Sequence, residues 1–168
     1  MGTQYERELK RILEGDLKGI DNVLRSCDIV VRDKMRKIAE QPFIVLRAAG
    51  SLGVDLVAIR GDISFPIEVK SSIHRVLYFG SRGHLAEQAE QFIRSCERAH
   101  VIPLYAFRLK NSTGDSWRIF TIRMDPMKGR QGVIQSMLPT IRESSRGNYV
   151  MDWDRGLPLH KFIDYLTQ

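Results

Sequence analysis

Cysteine, histidine and long apolar runs are scarce in this sequence, and each scarcity excludes a class of protein. The two cysteines, Cys27 and Cys96, form no CxxC pair, and no nearby Cys/His set has the spacing of structural zinc ligands. Both are therefore expected to be buried free thiols. No apolar run approaches the ~18–20 residues of a membrane span, and residues 1–10 show no signal-peptide core. We expect a cytoplasmic protein with no membrane partner.

The composition favours basic residues, and arginine in particular. Lys and Arg number 26 against 20 Asp and Glu, which gives a net charge of +6. Eighteen of the 26 basic residues are arginine, the better bidentate ligand for phosphate. Nucleic acid is the first candidate partner, although a charge of this size also serves solubility. The charge forms no basic tail, so folding must assemble any phosphate-binding surface.

Hydrophobic periodicity predicts an α/β fold, with a central mixed sheet of about five strands flanked by helices. A single domain over residues 1–168 is expected, because no repeat or low-complexity segment divides the chain. The predicted helices are 3–14, 20–40, 84–99 and 157–166, with a short helix over 131–143 that is cut by Pro139. The predicted strands are 43–49, 54–60, 64–70, 101–109, 116–122 and 148–153.

The segment between Arg47 and Lys70 carries the chemistry. Side chains alternate along a strand, so Glu68 and Lys70 share one face. Asp55 lies on the partner strand across the turn at Gly61-Asp62 and interrupts an apolar stretch. Two carboxylates brought together in this way repel each other unless a cation neutralises them.

Two interpretations of these residues compete. An isolated Glu-x-Lys is ordinarily a surface ion pair on a hairpin. The added carboxylate of Asp55 and the apolar neighbours favour a hard divalent cation held by oxygen ligands. Lys70 would then lie beside the cation, where it can position or polarise a water molecule.

The order Asp, hairpin, Glu-x-Lys resembles the signature of the PD-(D/E)xK nuclease superfamily, and the chain is most similar to its archaeal Holliday junction resolvase branch. The blocks that carry the resemblance are YERELKRIL (5–13), VLRAAGSLGVDLVAIR (45–60), FPIEVKSS (65–72), LYFG (77–80) and SWRIF (116–120). Val54 stands where the superfamily often has proline. Residues 15–41 and 124–146 are longer than the family pattern, and both are interpreted as insertions. The resemblance implies a restriction-endonuclease-like fold.

The resemblance also implies roles for individual residues. Asp55 and Glu68 match the metal ligands, and Glu6 matches a metal-associated glutamate of the first helix, with Glu8 as the second choice. The implied catalytic residues are Glu6, Ser51, Asp55, Glu68 and Lys70. The implied DNA-binding residues are Arg7, Arg47 and Arg82.

The function implied is a Mg²⁺-dependent endodeoxyribonuclease, with Mn²⁺ as a substitute, that resolves four-way DNA junctions by paired symmetric nicks. Two symmetric cuts imply a homodimer, whose interface is expected within residues 77–99, including Tyr78, Phe79, Leu85, Phe92 and Ile93. A DNA substrate implies association with the nucleoid. The alternatives are a related nuclease acting on flap, mismatched or duplex DNA, a non-catalytic DNA-binding module of the same fold, and an interaction protein with an incidental Glu-x-Lys pair.

Overall fold

The structure is a computed structural model that describes residues 2–48, 53–80 and 83–168. The helices are α1 (Gly2–Leu13), α2 (Leu17–Val23), α3 (Ile29–Arg36), α4 (His84–Ala99), α5 (Gly129–Met137) and α6 (Leu159–Leu166). The strands are β1 (Ile44–Arg47), β2 (Leu56–Ile59), β3 (Phe65–Ser72), β4 (Val76–Phe79), β5 (Leu104–Leu109), β6 (Trp117–Phe120), β7 (Arg142–Glu143), β8 (Tyr149–Asp152) and β9 (Leu157–Pro158).

The strands form two sheets. The larger has six strands in the order β1-β2-β3-β5-β6-β9, and the smaller has the order β4-β8-β7. Only β3 and β5 pair in parallel within the larger sheet, so that sheet is mixed. The predicted α/β class with a helix-flanked mixed sheet is therefore confirmed. The central sheet has six strands where about five were predicted, and the additional strand is β9, whose two residues show no periodicity.

Each face of the larger sheet supports its own core. On β5, Leu104 and Ala106 join a core that contains the apolar faces of α1, α2, α3 and α6. The alternating Tyr105 and Phe107 join a second core with Phe92 of α4. This separation follows from the two-residue period of a strand. Glu68 and Lys70 pair with Tyr105 and Phe107 in register, which places the Glu-x-Lys motif on the α4 side of the sheet.

The predicted helix 20–40 is wrong as a single element. Asp28 has an extended backbone (φ −71°, ψ 170°), and its side chain accepts a hydrogen bond from the Val31 N–H. An aspartate in this position caps a new helix, so it begins α3 rather than continuing α2. The Arg32 guanidinium of α3 donates hydrogen bonds to the carbonyl oxygens of Leu24 and Cys27, which follow the end of α2.

The segment 124–146 contains the predicted short helix, which ends at Met137, just before Pro139. Arg142 and Glu143 form the short strand β7, which was not predicted. Proline at position 139 explains where the helix ends, because the residue before proline disfavours helix. The segment therefore contributes both a helix and an edge strand.

The α4 helix covers only part of its face of the sheet. Ile44, Leu46 and Ile59 on β1 and β2 remain 66%, 54% and 41% exposed. Phe92, in contrast, is 2% exposed and packs inside its own chain. The expectation that Phe92 faces a partner subunit is therefore wrong, since its own sheet buries it. Tyr78 is 62% exposed, while the side chain of Leu85 lies outside the described residues.

The two cysteines are both free and buried, as predicted. Cys27 packs in the core on the α1 side, and Cys96 packs in the core on the α4 side. Within the described residues, no helix combines the length and apolar character needed to cross a membrane.

Candidate active site

Asp55 lies immediately before β2 and is fixed to both neighbouring strands. Its backbone N–H donates to the Ile67 carbonyl (3.0 Å), and its own carbonyl accepts from the Ala48 N–H (2.8 Å). Its carboxylate Oδ2 accepts a 2.7 Å bond from the backbone N–H of Val69. The side chain is therefore fixed against the residue that separates Glu68 from Lys70.

Glu68 and Lys70 form an ion pair on the α4 side of β3. Lys70 Nζ lies 2.5 Å from Glu68 Oε1, and both side chains are largely shielded from solvent, at 27% and 15% exposure respectively. The Lys70 ammonium also lies 5.1 Å from the ring centroid of Phe79, within cation–π range. Phe79 packs in turn on the rings of Tyr105 and Tyr149, so the ammonium lies against the edge of an aromatic cluster.

Burial makes both carboxylates costly to ionise. Burial raises the pKa of Asp55, and the nearby charge of Glu6 raises it further, while the Val69 hydrogen bond lowers it. Burial likewise raises the pKa of Glu68; Lys70 lowers it, and the charge of Asp55 raises it. Each acid therefore responds to the charge of another carboxylate, so the site favours a bound cation.

Glu6 reaches the same neighbourhood from α1. Its Oε2 accepts bonds from Arg47 Nη2 at 2.8 Å and Nε at 3.3 Å. Arg47 ends β1 and lowers the pKa of Asp55, so the pair lies beside that acid. The structure thus brings together five of the residues singled out in the sequence: Glu6, Arg47, Asp55, Glu68 and Lys70.

The remaining predicted residues have different positions. Arg7 is exposed on α1, whereas Ser51 and Arg82 lie outside the described residues. Glu8 points away from the carboxylates, and its Oε1 accepts bonds from Arg108 Nε (2.9 Å) and Trp117 Nε1 (2.7 Å). Of the two glutamates considered on α1, Glu6 is therefore the one that faces Asp55.

The oxygen atoms left at the site are suitable for a hard divalent cation. The Val69 bond uses Oδ2 of Asp55, and the Lys70 pair uses Oε1 of Glu68, so Oδ1 and Oε2 can accept another ligand. In the described part of the chain, no group of three or more His, Cys, Asp or Glu side chains is placed to hold a metal ion. Two carboxylates and added water fit Mg²⁺, which commonly retains several waters when bound.

Two features of the site escaped sequence reasoning. The Val69 N–H that fixes Asp55 belongs to the backbone, and no residue type signals it. Gly53 has φ +69°, and a Cβ there would lie 3.8 Å from Glu68 Oε2. Gly53 therefore lines a cavity of about 40 Å³ with Glu68, Lys70 and Phe79. The glycine at position 53 was the available sequence signal for this backbone conformation.

A basic protein that brings Asp, Glu and Lys together on one face of a mixed sheet has the groups expected of a phosphodiester-cleaving nuclease. The family of archaeal Holliday junction resolvases (hjc) matches residues 29–168, well over half of the chain. The chain belongs to this family and is a Holliday junction-resolving nuclease, so branched DNA is its substrate. The match begins after α1 and α2, so Glu6 and Arg7 lie outside the matched residues.

Comparison with solved structures gives a similar chain from the same family. The Holliday junction resolvase Hjc of the archaeal hyperthermophile Archaeoglobus fulgidus is 21% identical, with a TM-score of 0.49. The similarity covers 72% of this chain and 81% of that one. A comparison with curated protein sequences gives no match.

Proposed function

We propose that this chain cuts four-way junctions by metal-dependent hydrolysis of one phosphodiester bond per active site, with Asp55 and Glu68 as metal ligands. The observation that carries the proposal is the 2.7 Å bond from Val69 N–H to Asp55, because it fixes one acid beside the other acid and the lysine. Mg²⁺ is the proposed ion, with Mn²⁺ as a substitute, since the donors are carboxylate oxygens.

A divalent cation held there would supply a water of lowered pKa and would offset charge on the scissile phosphate. Lys70 supplies a further positive charge beside Glu68. Its ammonium can donate to the attacking water or to a phosphate oxygen in the transition state, where a fixed donor contributes most. Phe79 holds that ammonium in place.

Glu6 and Arg47 act together in the proposed mechanism. Arg47 is 35% exposed while paired with Glu6, so its guanidinium can bind an incoming phosphate, a ligand that guanidinium groups bind in bidentate fashion. Once Arg47 binds the phosphate, the Glu6 carboxylate would lose its partner and could support a cation held by Asp55. Arg7, Ser51 and Arg82 are proposed as further DNA-contacting or catalytic residues on the resemblance alone.

We further propose a homodimer that nicks two symmetric strands, because one such site cuts one strand and a junction offers two equivalent positions. Exposed apolar side chains on β4, Val76 (39%) and Tyr78 (62%), support an interface in this region. A stable interface of this kind buries upward of ~2,000 Å² in total. A DNA substrate places the protein at the nucleoid.

The proposal is tested by comparing a four-way junction with linear duplexes of the same arm sequences. We expect paired symmetric nicks in the junction with Mg²⁺ or Mn²⁺, no cleavage with a chelator, and little cleavage of duplex. Equal cleavage of duplex would contradict the junction specificity, and cleavage in chelator would contradict the metal mechanism. Sedimentation at micromolar concentration tests the dimer separately, since a monomer could nick a junction on one side only.

A further inference from the structure

A polar groove lies between α1 and α2, beyond the residues that form the active site. It has a volume of about 310 Å³ and is lined by Arg7, Glu8 and Arg11 of α1 with Gly19, Asn22 and Val23 of α2. Both helices precede the segment that matches the family. The groove therefore lies outside the matched residues, and its α2 wall belongs to the 15–41 segment that is longer than the family pattern.

The net charge exposed in the groove is positive. Arg7 and Arg11 are both exposed, and neither forms an ion pair with any residue that the structure describes. The carboxylates of the two nearby acids, Glu8 and Asp16, already accept hydrogen bonds. Glu8 binds Arg108 and Trp117, and Asp16 caps α2 by accepting from two backbone N–H groups. Arg7 and Arg11 thus line the groove without an ion pair in the described part of the chain, and the Asp16 carboxylate lies beside Arg11, with its Oδ2 3.3 Å from the position of a Cβ at Gly19.

The Arg11 side chain is held in position by α2. A Cβ at Gly19 would lie 3.1 Å from Arg11 Cβ and 3.4 Å from its Cδ, so the α2 backbone packs closely on the arginine stem. This contact directs the guanidinium toward the groove at a reduced entropic cost of ordering. Asn22 Oδ1 accepts a 2.8 Å bond from Arg25, which leaves the Asn22 amide N–H groups as donors.

The spacing of the two arginines suits a nucleic-acid backbone. Arg7 and Arg11 are one helical turn apart, ~6 Å along the axis, a length that spans about two phosphates of one strand at ~3.4 Å each. Arg7 directly follows Glu6, which lies at the active site. The groove and Glu6 therefore share one helix, α1.

We propose that the α1–α2 groove binds backbone phosphates of one junction arm, with Arg11 of α1 and Asn22 of α2 as its contacts. The inference rests on the proposed function, since it takes the cleaved strand to lie at Asp55 and Glu68. Contacts of this kind position the arm and carry no base sequence information.

The test measures junction binding in chelator, so that no cleavage occurs, over a range of salt concentrations. For Arg11→Gln we expect about a five- to tenfold loss of affinity at 0.1 M salt, and a salt slope smaller by about one. Asn22→Glu places a carboxylate in the groove and should weaken binding at least as much. The matched control is Arg98→Gln, which removes an exposed arginine from α4 on the opposite face of the sheet.

The outcomes separate this inference from the proposed function. Wild-type affinity and salt slope in both groove variants would overturn the groove as a DNA surface, even if the wild type cuts junctions. An equal loss in Arg98→Gln would also overturn it, because the effect would then be one of net charge. If Arg11→Gln weakens junction binding but the wild type cuts no junction, the groove would be supported and the metal mechanism contradicted.

Discussion

The carboxylate of Asp55 accepts a hydrogen bond from the backbone N–H of Val69, 14 residues later in the chain. Val69 points its side chain toward the core on the α1 side, while its neighbours Glu68 and Lys70 point to the other face. The bond therefore holds Asp55, which lies just before β2, against β3, the strand that carries Glu68 and Lys70. The following predictions depend on this arrangement.

Asp55→Asn should reduce cleavage by ~10³-fold or more, because loss of a ligand removes several kcal/mol of charge stabilisation by the cation. Junction binding should remain or tighten, since the change also removes repulsion of phosphate. Asparagine keeps an oxygen that can accept from Val69 N–H, so the fold should persist. Single-turnover cleavage and binding in chelator measure the two effects. Parallel loss of both would show that Asp55 has a structural role.

The same variant should be more stable than wild type when no metal is present. The folded-state pKa of Asp55 is raised above its ordinary value by burial, so the ionised acid lowers stability at neutral pH. That cost begins to fall when the pH drops to the folded-state pKa and is gone below the unfolded-state pKa, and the difference between the two proteins should vanish with it. Urea unfolding in chelator at several pH values measures this trend.

Asp62→Asn serves as the opposite control for that measurement. Its hydrogen bond to Arg60 lowers the pKa of Asp62, so its charge stabilises the fold above the unfolded-state pKa. That stabilisation is lost as the pH falls through the lowered folded-state value. The Asp62 variant should therefore be less stable than wild type at neutral pH, and its cleavage should be unchanged.

Lys70→Met should lower cleavage by ~10²-fold or more, the size expected for loss of a fixed donor to developing charge. Lys70 lowers the pKa of Glu68, so its removal should also shift the remaining activity toward higher pH. A pH–rate profile separates these effects. Lys161→Met, an exposed change on α6, should leave the profile as in wild type, and a similar shift there would contradict the assignment.

Tyr105→Phe should stabilise the protein. The Tyr105 hydroxyl is buried and has no hydrogen-bond partner among the described residues, a condition that costs ~1–3 kcal/mol. Phenylalanine keeps the ring packed between Phe79 and Phe92. Thermal unfolding measures the gain. A loss of stability would instead show that the hydroxyl holds a buried water.

Tyr78→Glu should dissociate the proposed dimer while leaving the stability of each chain within ~0.5 kcal/mol, because Tyr78 is 62% exposed. Phe92→Ala should instead cost ~3–5 kcal/mol of folding stability, since that ring lies in the core. Sedimentation and urea unfolding distinguish the two effects. Ile59→Glu, on the exposed face of β2, is the matched variant. If Ile59→Glu dissociates the dimer and Tyr78→Glu does not, the interface lies on the exposed face of β1 and β2 instead of β4.

The local hydrophobic pattern predicted much of the fold, because the periods of strands and helices depend only on residues close together in the sequence. The alternation in FPIEVK placed Glu68 and Lys70 on one face, and the structure agrees. The break between α2 and α3 was missed because it depends on Asp28 acting as a cap. The surroundings of Phe92 were misjudged because sequence alone does not show how much of a helix its own sheet covers.

The sequence by itself determined which chemical groups are available: two carboxylates and a lysine at strand spacing, in an arginine-rich chain. Only the tertiary structure decided which groups meet. Glu6 and Arg47 pair across 41 residues, and Glu8, two positions away, is taken by Arg108 and Trp117 instead. The reason is physical: the orientation of α1 on the sheet decides which of its faces meets β1. That orientation is set by the packing of Leu9, Ile12 and Leu13 into the core, a long-range fit that no local period records.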